Sequence, residues 1–156
     1  MLEDFIEDGK LDAVIFLSES EILSPSQISK ICNIPESEII KVVIYIRSDK
    51  KPVLAILPQG READLEKISK ITGCERIIRE AIPSEVEGLT GYRKGYLPPI
   101  SIYGIDIIIE KSIMDKGKVA CFGGTKNSVV VLNPKCIVES AWEEPKVEEI
   151  SKQVFG

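Results

Sequence analysis

The chain has 156 residues, of which 44% are hydrophobic and 29% charged, a globular composition in a chain long enough to bury a core. Its 20 basic and 25 acidic residues give a net charge of −5, which disfavours extended tracking along a nucleic-acid backbone and leaves only a small local basic patch. There is no histidine, so a Ser-His-Asp triad, a Cys-His dyad, His-based zinc sites and an imidazole base are excluded.

The N-terminus, MLEDFIEDGK, is acidic and lacks the basic start and apolar core of a signal peptide. The longest apolar stretches, such as Val42–Ile46 and Val129–Leu132, are too short to span a bilayer. Cys32, Cys74, Cys121 and Cys136 form no CxxC pair, and each reads as a small core hydrophobe. The expectation is one cytoplasmic domain over 1–156 with reduced thiols and no membrane contact. The chain holds 25 isoleucines against three asparagines and three glutamines, which fits either a thermophilic source or AT-rich codon usage.

In chain order, Ser24-Pro25 reads as a cap and first turn of a helix through Ile28, Ile31 and Cys32, ended by Pro35. Ile39–Ile46 is β-branched and apolar apart from Lys41 and Tyr45, the pattern of a central strand. A polar turn at Ser48–Lys51 and a second run at Val53–Leu57 predict an antiparallel hairpin, closed by Pro58-Gln59-Gly60. Glu62–Thr72 is predicted as a helix with Leu65, Ile68 and Ile71 inward and Gly73 just past its end. Ile77-Ile78 begin a short strand. Ser84–Glu87 has the form of a capping box, predicting a short helix that stops at Gly91. Strands follow at Ile105–Glu110, Val119–Phe122 and Val129–Leu132, then a helix from Asn133-Pro134 to about Ala141. The tail from Glu143 adds a strand or a helix. The order lacks strict βαβ alternation and predicts an α+β fold, a mixed, mostly antiparallel sheet surrounded by helices.

Three features stand out chemically. Lys41 interrupts a hydrophobic strand, where it either needs a partner or reaches solvent. The segment 91–104, GYRKGYLPPISIYG, holds three glycines, three tyrosines and a Pro-Pro pair in fourteen positions. It reads as an ordered loop, either a rigid connection or a wall along which the backbone approaches a ligand. Gly123-Gly124 suits a tight turn or an amide-lined pocket for a carbonyl or phosphate. No GxGxxG, Walker A or GxSxG pattern is present. Glu143-Glu144 and Glu148-Glu149 read as a solvated tail, and Asp106 as either buried with a partner or outward-facing.

In this order and spacing, IIKVVIYI with Lys41, LTGYRKGYLPPIS and ACFGGTKN resemble the YbaK/ProX family of aminoacyl-tRNA deacylases, the editing domain associated with prolyl-tRNA synthetase. Thr90, Gly91, Tyr92, Gly95, Pro98 and Pro99 match the family's loop, and Gly123 and Gly124 its late turn. IDIIIEKSIM is similar to the family's strand ending in an acidic residue before a short helix. The resemblance spans residues 24–140. Tyr96 stands where a second glycine is common, Ser101 where the loop usually closes with glycine, and Val42 where threonine is frequent.

The resemblance implies a trans-editing deacylase that hydrolyses the ester of a mischarged tRNA, Ala or Cys on proline tRNA, without a cofactor or metal. It implies catalytic roles for Lys41, Gly123 and Gly124. Lys41 binds phosphate or ribose, or polarises the carbonyl. It places substrate contacts at Gly91, Tyr92, Gly95, Tyr96, Pro98, Pro99, Ser101 and Thr125. Arg93, Lys94 and Lys126, with Lys50 and Lys51, are candidate phosphate contacts. The partners implied are the aminoacylated acceptor end of tRNA and prolyl-tRNA synthetase. The rival readings are a non-catalytic module that binds aminoacyl-tRNA or a nucleotide in the same pocket, and a structural domain whose loop only packs.

Overall fold

The computed structural model describes residues 2–154. Helix α1 (Leu2–Gly9) and strand β1 (Ala13–Leu17) precede the first element expected from the sequence. Helix α2 (Pro25–Cys32) starts as expected, with the Ser24 hydroxyl accepting the Gln27 N–H. Asn33, in the left-handed region, already ends it before Pro35. Strands β2 (Ile40–Arg47) and β3 (Pro52–Pro58) form the expected hairpin, with Val42 opposite Ile56.

The next helix is shorter than expected. Arg61–Ala63 is a strand, β4, and helix α3 spans Leu65–Thr72. The reason lies in Asp64, whose carboxylate accepts the Lys67 N–H and caps the helix there. Ile68 points inward, whereas Leu65 is 38% exposed. Gly73, with φ 75°, closes α3. After β5 (Ile77–Glu80), helix α4 (Pro83–Thr90) begins ahead of Ser84, because Glu85 reaches back to the Ile82 N–H (2.9 Å). Gly91 ends it as expected. Then come β6 (Asp106–Glu110), a 3₁₀ turn at Lys111–Asp115, β7 (Val119–Phe122), β8 (Ser128–Leu132) and helix α5 (Lys135–Ser140). The tail forms two strands, β9 (Lys146–Glu148) and β10 (Ser151–Gln153).

The main sheet runs β5-β2-β3-β6-β9, antiparallel at β5/β2 and β2/β3 and parallel at β3/β6 and β6/β9. A second, antiparallel sheet runs β1-β8-β7, and β10 pairs antiparallel with β4. This is the mixed, mostly antiparallel α+β architecture expected. Residue parity explains the layering. Ile40, Ile44 and Ile46 of β2, Leu54 and Ile56 of β3 and Ile107 and Ile109 of β6 pack toward the β1-β8-β7 sheet. Val53, Ala55 and Leu57 face the other way, onto Ile68 of α3. Helix α2 covers the far side of β7 and β8 through Ile28 and Cys32. Asp106 faces outward. Among the described residues no helix is long and apolar enough to cross a membrane.

Glu110 locks the tail to this body. It is 4% exposed, and its Oε1 accepts the Ile150 N–H (3.0 Å), the Ser151 N–H (3.0 Å) and the Ser151 hydroxyl (2.7 Å). Arg61 donates to the Ser151 hydroxyl (2.7 Å) and carbonyl (3.0 Å) from the other side. Glu110→Ala leaves those buried donors without an acceptor. The expected loss is about 2–3 kcal/mol in urea unfolding, with faster hydrogen exchange at the Ile150 and Ser151 amides. Unchanged exchange there would show that the β6–β9 and β4–β10 pairings alone hold the tail.

Candidate active site

The β5 ladder on β2 covers only Tyr45–Arg47, and β7 touches the start of β2 through a single bridge, Ile39 to Ala120. Between them the outer edge of β2 opens into a cavity of about 250 Å³, lined by every residue from Ile40 to Ile44. Both faces of a strand line one cavity only when the cavity runs along the strand's edge. The apolar wall combines Ile40, Val42 and Ile44 with Val86 of α4, Leu97 of the 91–104 loop, and Cys121 and Phe122 of β7. The polar rim is Lys41, Gln59, Glu80 and Lys94.

Lys41 is half-buried, and its ammonium has no hydrogen bond or ion pair among the described residues. Burial lowers its pKa below the ordinary lysine value, and the carboxylates of Glu62 and Glu80 pull it back up. It is a cation held at the rim of the cavity. Lys94 is already engaged, donating to the Ala81 carbonyl (2.8 Å) and pairing with Glu80 (3.3 Å). Cys121 is fully buried, and burial pushes its thiol up to about 12. It stays neutral, points at the Leu97 carbonyl (3.5 Å), and serves as wall rather than nucleophile.

The loop is fixed by its own side chains. Tyr92 is buried, its hydroxyl donates to Ser101 (3.2 Å), and its amide donates to Thr90 Oγ1 (3.0 Å). Its ring lies against Gly124, where a Cβ would meet Tyr92 Cε1 at 2.7 Å. Gly95, with φ 97°, brings the loop backbone onto the cavity. Ser101 adopts φ 68°, the conformation for which a closing glycine is suited. Tyr96 packs edge-on against Phe122 (5.2 Å, 64°), and its hydroxyl reaches Glu21 (3.3 Å). Pro98 and Pro99 are buried beneath the loop.

A match to the aminoacyl-tRNA editing domain model extends over residues 19–139. The chain belongs to this family, the YbaK/ProX editing domains. It is 32% identical over 108 residues to a proline–tRNA ligase of Aquifex aeolicus, covering 69% of this chain and 17% of the ligase. It is 26% identical to the "Putative Cys-tRNA(Pro)/Cys-tRNA(Cys) deacylase EbsC" of Enterococcus faecalis, over 56% of this chain and 52% of that one. The chain therefore spans about one-sixth of the ligase and about half of the deacylase. The solved "putative trans-editing enzyme for prolyl tRNA synthetase" shares the fold, with TM-score 0.81 and 19% identity over 97% of this chain and 94% of that one. A second structure, "hypothetical protein APE2540", superposes with TM-score 0.85 and 22% identity, covering 97% and 99%.

Within this editing domain, Lys41, Lys94 and Gly95 line the cavity. Tyr92, Ser101, Gly123 and Gly124 form the packed layer behind it. The Gly123 N–H donates to the Ser128 carbonyl (2.9 Å), and a Cβ there would meet Ser128 Oγ at 2.8 Å. Thr125 hydrogen-bonds Ser128 (2.7 Å) and Asn127 (3.1 Å) on the exposed turn. Gly91, Arg93 and Lys126 are exposed and stand off the cavity lining. Lys50 and Lys51 lie at the far end of the hairpin, about 20 Å from Lys41 by strand rise. Glu80, Gln59, Val86, Leu97 and Phe122 line the site without having been singled out from sequence. Phe122, directly before Gly123, carried the only local signal.

Proposed function

We propose that this chain is a trans-editing deacylase that hydrolyses the ester joining a small amino acid, alanine or cysteine, to proline tRNA. The observation that carries the reading is the cavity on the β2 edge, with the unpartnered Lys41 ammonium on its rim and a small apolar wall within it. The wall suits a short uncharged side chain. Lys41 lies across the strand from that wall, on the face of Val43 and Tyr45. There it grips the terminal phosphate and holds the ester at the cavity mouth. Water attacks the acyl carbon, the acyl–oxygen bond to the ribose breaks, and the proton ends on the ribose hydroxyl. An aminoacyl ester is activated, so positioning and backbone stabilisation of the oxyanion suffice without an imidazole. The Gly123 amide is committed to Ser128, so the loop at Gly95, rather than that turn, supplies a backbone donor to the oxyanion. The domain meets the aminoacylated acceptor end of tRNA and works beside prolyl-tRNA synthetase.

The test is proline tRNA charged with alanine, cysteine, serine or proline, followed for amino-acid release. Alanyl or cysteinyl esters are expected to be cleaved well above background and the cognate prolyl ester spared. The non-catalytic binding module is favoured by one feature, Tyr96 packed against the cavity residue Phe122 at a position where the family commonly has glycine. Failure to cleave any ester, with the protein folded and still binding the charged tRNA, would establish that alternative.

A further inference from the structure

The edge of β2 at the cavity carries main-chain groups that no strand takes up. The odd-numbered residues of β2 bond to β3: the Gln59 N–H donates to the Ile39 carbonyl (2.9 Å) and the Arg47 N–H to the Lys51 carbonyl (2.9 Å). In an antiparallel ladder the alternate residues then turn their N–H and C=O to the opposite edge. Ile44 does so, its carbonyl receiving the Ala81 N–H (2.8 Å). Beyond that bond the β5 ladder stops, and Lys94 occupies the Ala81 carbonyl. The bridge to β7 lies at Ile39, on the other side. Val42 sits between the two, with its N–H and C=O directed into the cavity.

We propose that Val42 binds the aminoacyl group through its main chain. The Val42 carbonyl accepts from the substrate's α-ammonium, and the Val42 N–H donates to its acyl carbonyl. Glu80, on the same cavity, favours the cation. The substrate class is therefore α-aminoacyl esters with a free ammonium. α-Hydroxyacyl esters keep a donor but lack the positive charge, and N-acylated esters lack both the charge and the room, whatever their side chain. This rests on the deacylase reading and adds to it which part of the acyl group is read, and by what.

The experiment compares L-alanyl, L-lactyl and N-acetyl-L-alanyl esters on one proline tRNA, each divided by its own uncatalysed rate. Loss of a charged hydrogen bond at the cavity is expected to lower normalised kcat/KM at least about tenfold for lactyl, and about 100-fold for N-acetylalanyl. A hydrolysis-resistant 3′-alanylamido-adenosine, followed by amide exchange, is expected to slow exchange at Val42 about tenfold or more. Equal normalised rates for the three esters overturn the proposal while leaving deacylation intact. So does binding of the analogue that leaves Val42 exchange unchanged. Absence of hydrolysis of every ester, together with no binding of the analogue, overturns the deacylase reading and this inference with it.

Discussion

Lys41→Ala is expected to lower kcat/KM on mischarged tRNA by roughly 10- to 100-fold, the worth of a charge-assisted hydrogen bond to phosphate. On an aminoacyl-adenosine that lacks the 5′-phosphate, the same substitution is expected to change little. The contrast follows from strand parity. Ile40, Val42 and Ile44 present the apolar wall, whereas Lys41 stands with Val43 and Tyr45 on the opposite face. An ammonium there meets the part of the substrate beyond the ester. A similar loss on both substrates would instead make Lys41 the group that polarises the acyl carbonyl. Folding provides the control. Burial lowers the pKa of Lys41, so its charged form is disfavoured in the native state, and stability at this position rises as pH climbs through the lowered value. Removing the charge should therefore leave Tm unchanged or slightly higher. A marked fall in Tm would reveal a partner that the ammonium supports in the fold.

Glu80 links this cation to the rest of the rim. It pairs with Lys94 and also acts on Lys41, so a phosphate arriving at Lys41 competes with a carboxylate already present. The rim thus carries both signs of charge, as the proposed phosphate and α-ammonium contacts require. On the proposed reading, a domain of net charge −5 needs basic residues only where the acceptor terminus would meet the cavity, and Lys41 and Lys94 lie there.

The elements legible in the sequence are those whose local signals agree with their surroundings. The β2–β3 hairpin is two apolar runs around a polar turn, α2 has Ser24 and Pro25 at its start, and α4 has Gly91 at its end. The twelve-residue stretch before β1 is acidic, and β1 itself is a five-residue apolar run without alternation, a pattern that does not separate strand from helix. β4, β9 and β10 are three residues each and largely polar. β4 and β10 exist because Glu110 and Arg61 hold distant backbone in place, which no local window contains. The site divides in the same way. A lysine in a β-branched strand and a glycine-rich aromatic loop announce themselves. Glu80, Val86 and Leu97 are ordinary residues until folding brings six segments to one strand edge. Lys50 and Lys51 show the converse, since their charge is plain in the sequence and their distance from Lys41 is not.

Gly124→Ala is expected to destabilise the domain by about 2–4 kcal/mol, a fall in Tm of roughly 5–15 °C. Two costs combine. The φ of 97° is strained for any residue with a Cβ, about 1–2 kcal/mol. The new Cβ also lies 2.7 Å from Tyr92 Cε1 and 3.0 Å from Cδ1. Tyr92 cannot simply turn aside, because it is buried and tied to Ser101 and Thr90. If it moves, the loop that carries Gly95 to the cavity moves with it, so deacylation should fall even where the variant stays folded. Gly88→Ala supplies the opposite sign. Gly88 lies within α4, a Cβ there would meet nothing within 4 Å, and alanine should stabilise by about 0.5–1 kcal/mol. A double-mutant cycle separates the two costs at Gly124. In a Tyr92→Ala background the ring is gone, and only the backbone part, about 1–2 kcal/mol, should remain. If the two substitutions instead add independently, the ring is not what demands a glycine at 124, and the turn's own conformation is the whole reason.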